Sequence, residues 1–207
     1  MLTSFTRAEQ SGVIPVFRLK KIIDSYNIGV EFLAQDAIAA ARKLIGYRIY
    51  AKEADGSLTG GMITETEAYT ADDAASHSFK GETPRNAMMF GPAGRIYVYF
   101  TYGIHWCMNI VTGEVGSGQA VLIRSILPDK NLELIRTRRK VKNDAELTNG
   151  PAKICQALGI TGADNGEKLG ENRFVLYPPV GDFTVRPTKR IGIKKDTHRL
   201  WRFIIDD

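Results

Sequence analysis

Glu65 and Glu67 stand two residues apart in Glu65-Thr66-Glu67-Ala68-Tyr69, which closes a stretch patterned as a strand. Side chains alternate between the faces of a strand, so Ile63, Glu65, Glu67 and Tyr69 are expected on one face. Met62, Thr64, Thr66 and Ala68 then take the other. Two carboxylates and a phenol on one face can do acid–base chemistry, one carboxylate accepting a proton from water. The solvated face of an amphipathic strand would carry the same residues.

Arg124 favours the chemical reading. It lies in Val121-Leu122-Ile123-Arg124-Ser125-Ile126-Leu127, on the face expected for Leu122 and Ile126. A guanidinium in so apolar a strand should be buried, and a buried charge needs a partner. A strand-borne glutamate is the natural candidate. An Arg–Glu pair at the base of a cleft would keep the carboxylate ionised near neutral pH, as a general base requires. A buried pair without chemistry would give the same pattern.

The tyrosines form a second set. Tyr97 and Tyr99 share a strand face, and Tyr102 falls at the tip of the hairpin that follows. Mid-strand Tyr97 is read as core. A tyrosine at a tip cannot bury itself in its own core and suits insertion into a base stack. Tyr69 and Tyr99 are placed to flank a pocket for a flat ring.

These residues need a scaffold. A helix is expected over 36–44, with Gly46 near its C-cap, and a strand over 47–52. Asp55-Gly56 turns the chain into the long strand that ends at Tyr69. The polar segment 70–94 is too long for a simple connector and is expected to be functional. Strands over 95–101 and 105–112 make the hairpin, and another strand covers 120–127. Helices follow over 131–141 and 152–158, the second started by Asn149-Gly150-Pro151. The sum is an α+β (mixed α/β) domain on a largely antiparallel sheet, with too few helices between strands for a doubly wound fold. Residues 1–28 read as an N-terminal arm of weak pattern, ahead of one domain over 29–207.

Composition sets the class. The chain has 207 residues, 43% hydrophobic and 25% charged, enough apolar material for a substantial core. No apolar run is long enough for a bilayer span or a signal-peptide core, so the protein is read as soluble and intracellular. Cys107 and Cys155 are read as buried free thiols, and His77, His105 and His198 have no metal-ligand spacing. The net charge of +5 permits a polyanionic partner without requiring one. Basic residues cluster at Arg136-Thr137-Arg138-Arg139-Lys140-Val141-Lys142 and again at Lys189, Arg190, Lys194, Lys195, Arg199 and Arg202.

Several ordered motifs carry a resemblance. Glu65–Tyr69 is followed by Ala75-Ser76-His77-Ser78, Thr83-Pro84-Arg85-Asn86 and Met89-Phe90. Then come Tyr97-Val98-Tyr99-Phe100-Thr101-Tyr102-Gly103-Ile104-His105-Trp106-Cys107-Met108-Asn109, Val121-Leu122-Ile123-Arg124 and Gly150-Pro151-Ala152-Lys153-Ile154-Cys155-Gln156-Ala157-Leu158. The series resembles the alkyladenine (3-methyladenine, methylpurine) DNA glycosylase family from about Val30 to the C-terminus.

That resemblance implies a single compact domain with a curved, largely antiparallel sheet, surrounding helices and a protruding β-hairpin. It implies a monomeric, monofunctional glycosylase of base excision repair, acting on double-stranded DNA that contains damaged purines. The purines implied are 3-methyladenine, 7-methylguanine and hypoxanthine. Glu67 matches the family's general base, Arg124 the arginine that helps hold the nucleophilic water, and Ile191 a backbone carbonyl contact. Tyr69, His77 and Tyr99 match the walls of the flipped-base pocket. Asn109 matches the residue that screens purines by their exocyclic group, and Tyr102 the intercalating wedge. No metal, cofactor or lysine Schiff base is implied, so abasic-site lyase activity is not expected. The segment from Glu67 to His77 is one residue shorter than is usual in the family, with Thr70-Ala71 in place of the usual turn.

Two other readings compete. A catalytically inactive nucleic-acid-binding module on the same fold would need neither Glu67 nor Arg124. A sugar hydrolase would use Glu65 and Glu67 as a carboxylate pair, about 7 Å apart by strand rise. The basic balance and the tip tyrosine favour DNA.

Overall fold

The computed structural model describes residues 30–206, and the expected arm over 1–28 lies outside them. In chain order the regular elements begin with α1 (Ala37–Leu44), β1 (Arg48–Lys52), β2 (Leu58–Tyr69), β3 (Ile96–Thr101) and β4 (His105–Thr112). They continue with β5 (Gln119–Lys130), α2 (Leu132–Arg139), α3 (Pro151–Ala157), β6 (Phe174–Tyr177), β7 (Val185–Thr188) and β8 (Arg202–Ile205). The expected helices and strands are thus present, with no expected end moved by more than three residues.

One strand organises the sheet. β2 pairs with β5 along one edge, while its other edge is shared between β1 at the start and β8 at Glu65–Glu67. The order β3-β4-β5-β2-β1-β6 is antiparallel throughout, and β7 extends the β8 branch. The sheet curls into a half-barrel around one main core, with a smaller apolar cluster at Met89, Tyr97, Val111 and Ala120. The fold is α+β, as the patterning predicts.

α1 closes the core side. Asp36 caps it by accepting the Ile38 and Ala39 amides at 2.9 Å each, the arrangement that satisfies free N–H groups of a first turn. Ala37, Ala40, Ala41 and Leu44 form its buried stripe, at helical spacing. The small alanines let the helix lie close to the sheet, and the Thr66 hydroxyl reaches the Ala41 carbonyl at 2.9 Å. Gly46 then turns the chain at φ +85°, where a Cβ would lie 2.4 Å from the Phe183 ring. Only glycine fits there.

The strict alternation expected along β2 fails at one point. Pairing runs from Ile63↔Ile126 to Glu65↔Ser125 to Thr66↔Ile123, so Thr64 on β2 and Arg124 on β5 fall out of register. Ile63 and Thr66 therefore both face the core side, as do Ile123 and Ile126. Ile63 does not share the face of Glu65, Glu67 and Tyr69, and Ile126 does not share that of Leu122 and Arg124. A bulge costs ladder bonds locally and re-aims the side chains around it. Here it leaves the apolar residues in the core and gathers the charged ones opposite.

The basic clusters are largely internal fasteners. Arg138 forks onto Glu53 at 2.7 and 2.8 Å, Arg136 pairs with Glu133 and Asp144, and Arg139 bonds the Leu147 carbonyl at 2.9 Å. In the C-terminal cluster Arg190, Arg199 and Arg202 are paired with Asp73, Asp72 and Glu65 respectively. Lys189, Lys194 and Lys195 are exposed on either side of Ile191. Cys107 and Cys155 are buried and free. Among the described residues no helix is long and apolar enough to cross a membrane.

Candidate active site

A cleft of about 340 Å³ opens opposite the core side of the sheet. Tyr69 from the end of β2, Leu122 and Arg124 from β5, and Tyr99 and Asn109 from the β3–β4 hairpin line it. His77 comes from the long polar segment and Ile191 from the stretch before β8, while Tyr102 stands at the rim. The structure thus brings together every residue singled out in the sequence. Glu67 lies beneath the lining, with its side chain fully buried.

Three donors converge on Glu67. The Tyr69 hydroxyl donates to Oε2 at 2.8 Å, Arg124 Nη1 approaches the same oxygen at 3.4 Å, and the Ile191 amide donates to Oε1 at 2.8 Å. Ile191 reaches the carboxylate through its N–H, a contact distinct from the carbonyl one that the family resemblance implies. Burial alone would lower the Arg124 pKa, but Glu67 and Glu65 beside it outweigh that and raise it. Burial, followed by the Glu67 charge, lifts the Tyr69 phenol far above its ordinary value. Tyr69 is thus held as a neutral hydroxyl that donates.

Glu65 is committed elsewhere. It accepts Arg124 Nε at 2.8 Å and Arg202 Nε at 2.5 Å on one oxygen. It is not a free partner for Glu67 in the two-carboxylate scheme of a sugar hydrolase.

His77 is held by a loop built for it. Asn86, almost fully buried, donates from Nδ2 to the carbonyls of His77 and Gly81 at 2.8 and 3.0 Å. Its Oδ1 accepts the Thr83 amide and hydroxyl, which explains the Thr83-Pro84-Arg85-Asn86 motif. The imidazole Nδ1 sits 3.0 Å from the Tyr97 hydroxyl, and its ring meets Tyr99 edge-on at 4.5 Å. Burial, and then the Arg85 charge, push the His77 pKa down, favouring the neutral ring. The Glu67–His77 segment delivers His77 to the cleft.

Tyr97 belongs to the site as well as to the core. It is 1% exposed, as its mid-strand place predicts, but its hydroxyl holds His77 and burial pushes its pKa up to about 12. Asn109 Nδ2 donates to the Tyr97 carbonyl at 3.1 Å, which fixes the carboxamide that faces the cleft.

Arg190 was missed in the sequence except as one of a basic cluster. Its side chain is fully buried, forks onto Asp73, donates to the Ala68 carbonyl at 3.0 Å and lies 4.7 Å over the Tyr69 ring. It ties the polar segment, the end of β2 and the Ile191 stretch into one unit.

Tyr102 occupies the hairpin tip with its backbone at φ 52°, followed by Gly103 at φ 68°. A left-handed tyrosine costs about 1–2 kcal/mol, and here it leaves the ring 86% exposed. The backbone is shaped to present that ring outward.

A cleft of aromatic walls over a buried glutamate–arginine pair, beneath an exposed tip aromatic, suits an enzyme that acts on an extruded nucleobase. The family model described as methylpurine-DNA glycosylase matches residues 31–207, and the chain belongs to that family. It is accordingly an N-glycosylase of the hydrolase class with a DNA substrate, working in base excision repair of DNA damage.

Relatives whose names carry the term 3-methyladenine DNA glycosylase include one from Rhodopseudomonas palustris (strain BisB18). It is 46% identical over 172 residues, covering 83% of this chain and 84% of the relative. One from Agrobacterium fabrum is 44% identical over 83% of this chain and 85% of the relative. Another, from Carboxydothermus hydrogenoformans, is 42% identical over 84% of this chain and 93% of its own.

Proposed function

We propose that this chain is a monomeric, monofunctional glycosylase that releases alkylated or deaminated purines, among them 3-methyladenine, 7-methylguanine and hypoxanthine, from duplex DNA. The observation that carries the reading is the fully buried Glu67 carboxylate, contacted by Tyr69, Arg124 and Ile191 beneath a tyrosine-lined cleft.

Extruding a base costs roughly a few kcal/mol, least where pairing is already weakened. Tyr102 offsets part of that cost by stacking in the vacated space. The flipped purine lies between Tyr69 and Tyr99, with His77 at its edge and Asn109 excluding purines whose exocyclic group meets the carboxamide. A cationic base such as 3-methyladenine is further favoured by the π-faces around it.

The glycosidic bond then breaks with its electron pair leaving on the purine nitrogen, and positive charge develops on the sugar. Glu67 stabilises that charge and takes a proton from the water whose oxygen bonds to C1′. Arg124 orients the water from the opposite side. An alkylated purine is already cationic and leaves neutral, whereas hypoxanthine must gain a proton on the ring before or during bond cleavage.

Duplex oligonucleotides with one hypoxanthine or one 3-methyladenine, treated with protein in the absence of added metal and then with alkali, report release as strand scission. We expect release by the unsubstituted protein, and binding without release by Glu67→Gln. Full release by Glu67→Gln would overturn the mechanism. No release of any alkylated or deaminated purine by the unsubstituted protein would overturn the assignment and favour a binding module.

A further inference from the structure

Glu65 has no task in the mechanism above, yet it is tied more closely to Arg124 than Glu67 is. Arg124 Nε donates to Glu65 at 2.8 Å, and only Nη1 turns to Glu67, at 3.4 Å. A guanidinium left alone beside a buried carboxylate closes into a two-bond fork with it. That fork is not formed here. The same Glu65 oxygen also holds Arg202 Nε at 2.5 Å, and Arg202 is the cross-strand neighbour of Glu67. Two carboxylates and two guanidinium groups therefore balance in one partly buried cluster.

The backbone makes this cluster possible. The matched irregularity in β2 and β5 leaves Arg124 out of register and pairs Glu65 with Ser125. It sets Glu65, Glu67 and Arg124 on the same side while Ile63 and Ile126 stay in the core.

We propose that Glu65 is a positioning residue, which anchors Arg124 by Nε and so keeps it from closing into a fork on Glu67. The inference rests on the glycosylase reading of the site. With Glu65 removed, two arginines face one carboxylate. Arg124 then swings onto Glu67, engages the oxygen that must receive the proton of water, and leaves the water without its second contact.

Single-turnover release and duplex affinity are measured for Glu65→Ala, Glu65→Gln, Arg124→Ala and the Glu65→Ala/Arg124→Ala double variant. Misplacing a catalytic contact by about 1 Å costs on the order of a hundredfold in rate. We expect a loss of that size for Glu65→Ala with affinity little changed. Glu65→Gln, which keeps an oxygen for Arg124 Nε, should show a smaller loss. In the Arg124→Ala background, removing Glu65 should cost little more, because its effect passes through Arg124.

An equal loss in both backgrounds, or unchanged release by Glu65→Ala, would overturn the inference. A second measurement does not depend on turnover. The Arg124 Nε–H resonance, assigned by its loss in Arg124→Lys, should be protected from exchange in the unsubstituted protein, partly protected in Glu65→Gln and unprotected in Glu65→Ala. Protection that survives in Glu65→Ala would overturn the anchoring role even if all variants lacked activity. Absence of release by the unsubstituted protein, with Nε–H protection behaving as expected, would instead count against the glycosylase reading alone.

Discussion

The Ile191 amide lies 2.8 Å from Glu67 Oε1, although 124 residues of chain separate the two. What holds them together is the residue before Ile191. Arg190 is buried against Asp73, the Ala68 carbonyl and the Tyr69 ring, so the amide cannot drift from the carboxylate without breaking that unit.

Removing one member of this unit should be costly for folding. Asp73→Ala leaves the buried Arg190 guanidinium unpaired, and breaking a buried ion pair costs about 3–5 kcal/mol. Urea denaturation monitored by tryptophan fluorescence should show that loss. Arg190→Met with Asp73→Leu should recover much of the stability but not the rate of base release, because the Ile191 stretch is no longer held against Tyr69. Equal recovery of both would show that Arg190 serves packing alone.

Tyr102 should behave in the opposite way. Its ring is 86% exposed, so Tyr102→Ala should change stability by no more than about 0.5 kcal/mol. Release from a fully paired duplex should fall, while release from a single strand is nearly unaffected, since no stack has to be refilled there. Parallel single-turnover assays on the two substrates provide the comparison.

The depressed His77 pKa gives a pH dependence with a definite sign. Above pH 6.5 both folded and unfolded chains carry a neutral ring, and His77 makes no contribution to pH-dependent stability. As pH falls below 6.5 the unfolded chain takes up the proton first, so the folded state loses stability until its own lower pKa is passed. His77→Gln should therefore lessen the fall in stability between pH 7.5 and pH 5.5 in chemical denaturation. A fall as large as in the unsubstituted protein would mean that other groups cause the acid sensitivity.

Asn109 should govern rejection more than rate. Asn109→Ala loses the 3.1 Å bond to the Tyr97 carbonyl, a cost to folding of about 1 kcal/mol. Release of hypoxanthine should change little, while release of purines bearing an exocyclic amino group at the screened position should rise. Competition assays with paired oligonucleotides read the ratio directly.

Periodicity made much of this fold legible. The alanine stripe of α1, the aromatic strands of the hairpin and the Gly150-Pro151 start of α3 each carry a local signal that tertiary packing does not override. Tyr102 was legible for the same reason, since a short turn between two strands left it nowhere to hide. The β2–β5 irregularity was not, because strict alternation is the only face assignment that a strand pattern supports. It misplaced Ile63 and Ile126 while leaving the acidic residues on the correct side. Arg190 looked like one charge among six, and nothing local distinguishes it from exposed Lys189. Asn86 is similar: its buried carboxamide serves three backbone groups, which only the folded loop brings within reach.

The pairing of β8 with β2 has a consequence for the order in which the site is built during synthesis. A ribosome that has translated as far as α3 has made Glu67, Arg124, Tyr69, Tyr99 and the exposed Tyr102. The Ile191 amide, Arg190 and the Arg202 anchor of Glu65 are still to come. Until they arrive, one edge of β2 at Glu65–Glu67 has no strand beside it and the carboxylate has no floor. The nascent polypeptide therefore gains the full set of contacts around Glu65 and Glu67 only after the segment beyond residue 202 has emerged, a built-in delay before the cleft is complete.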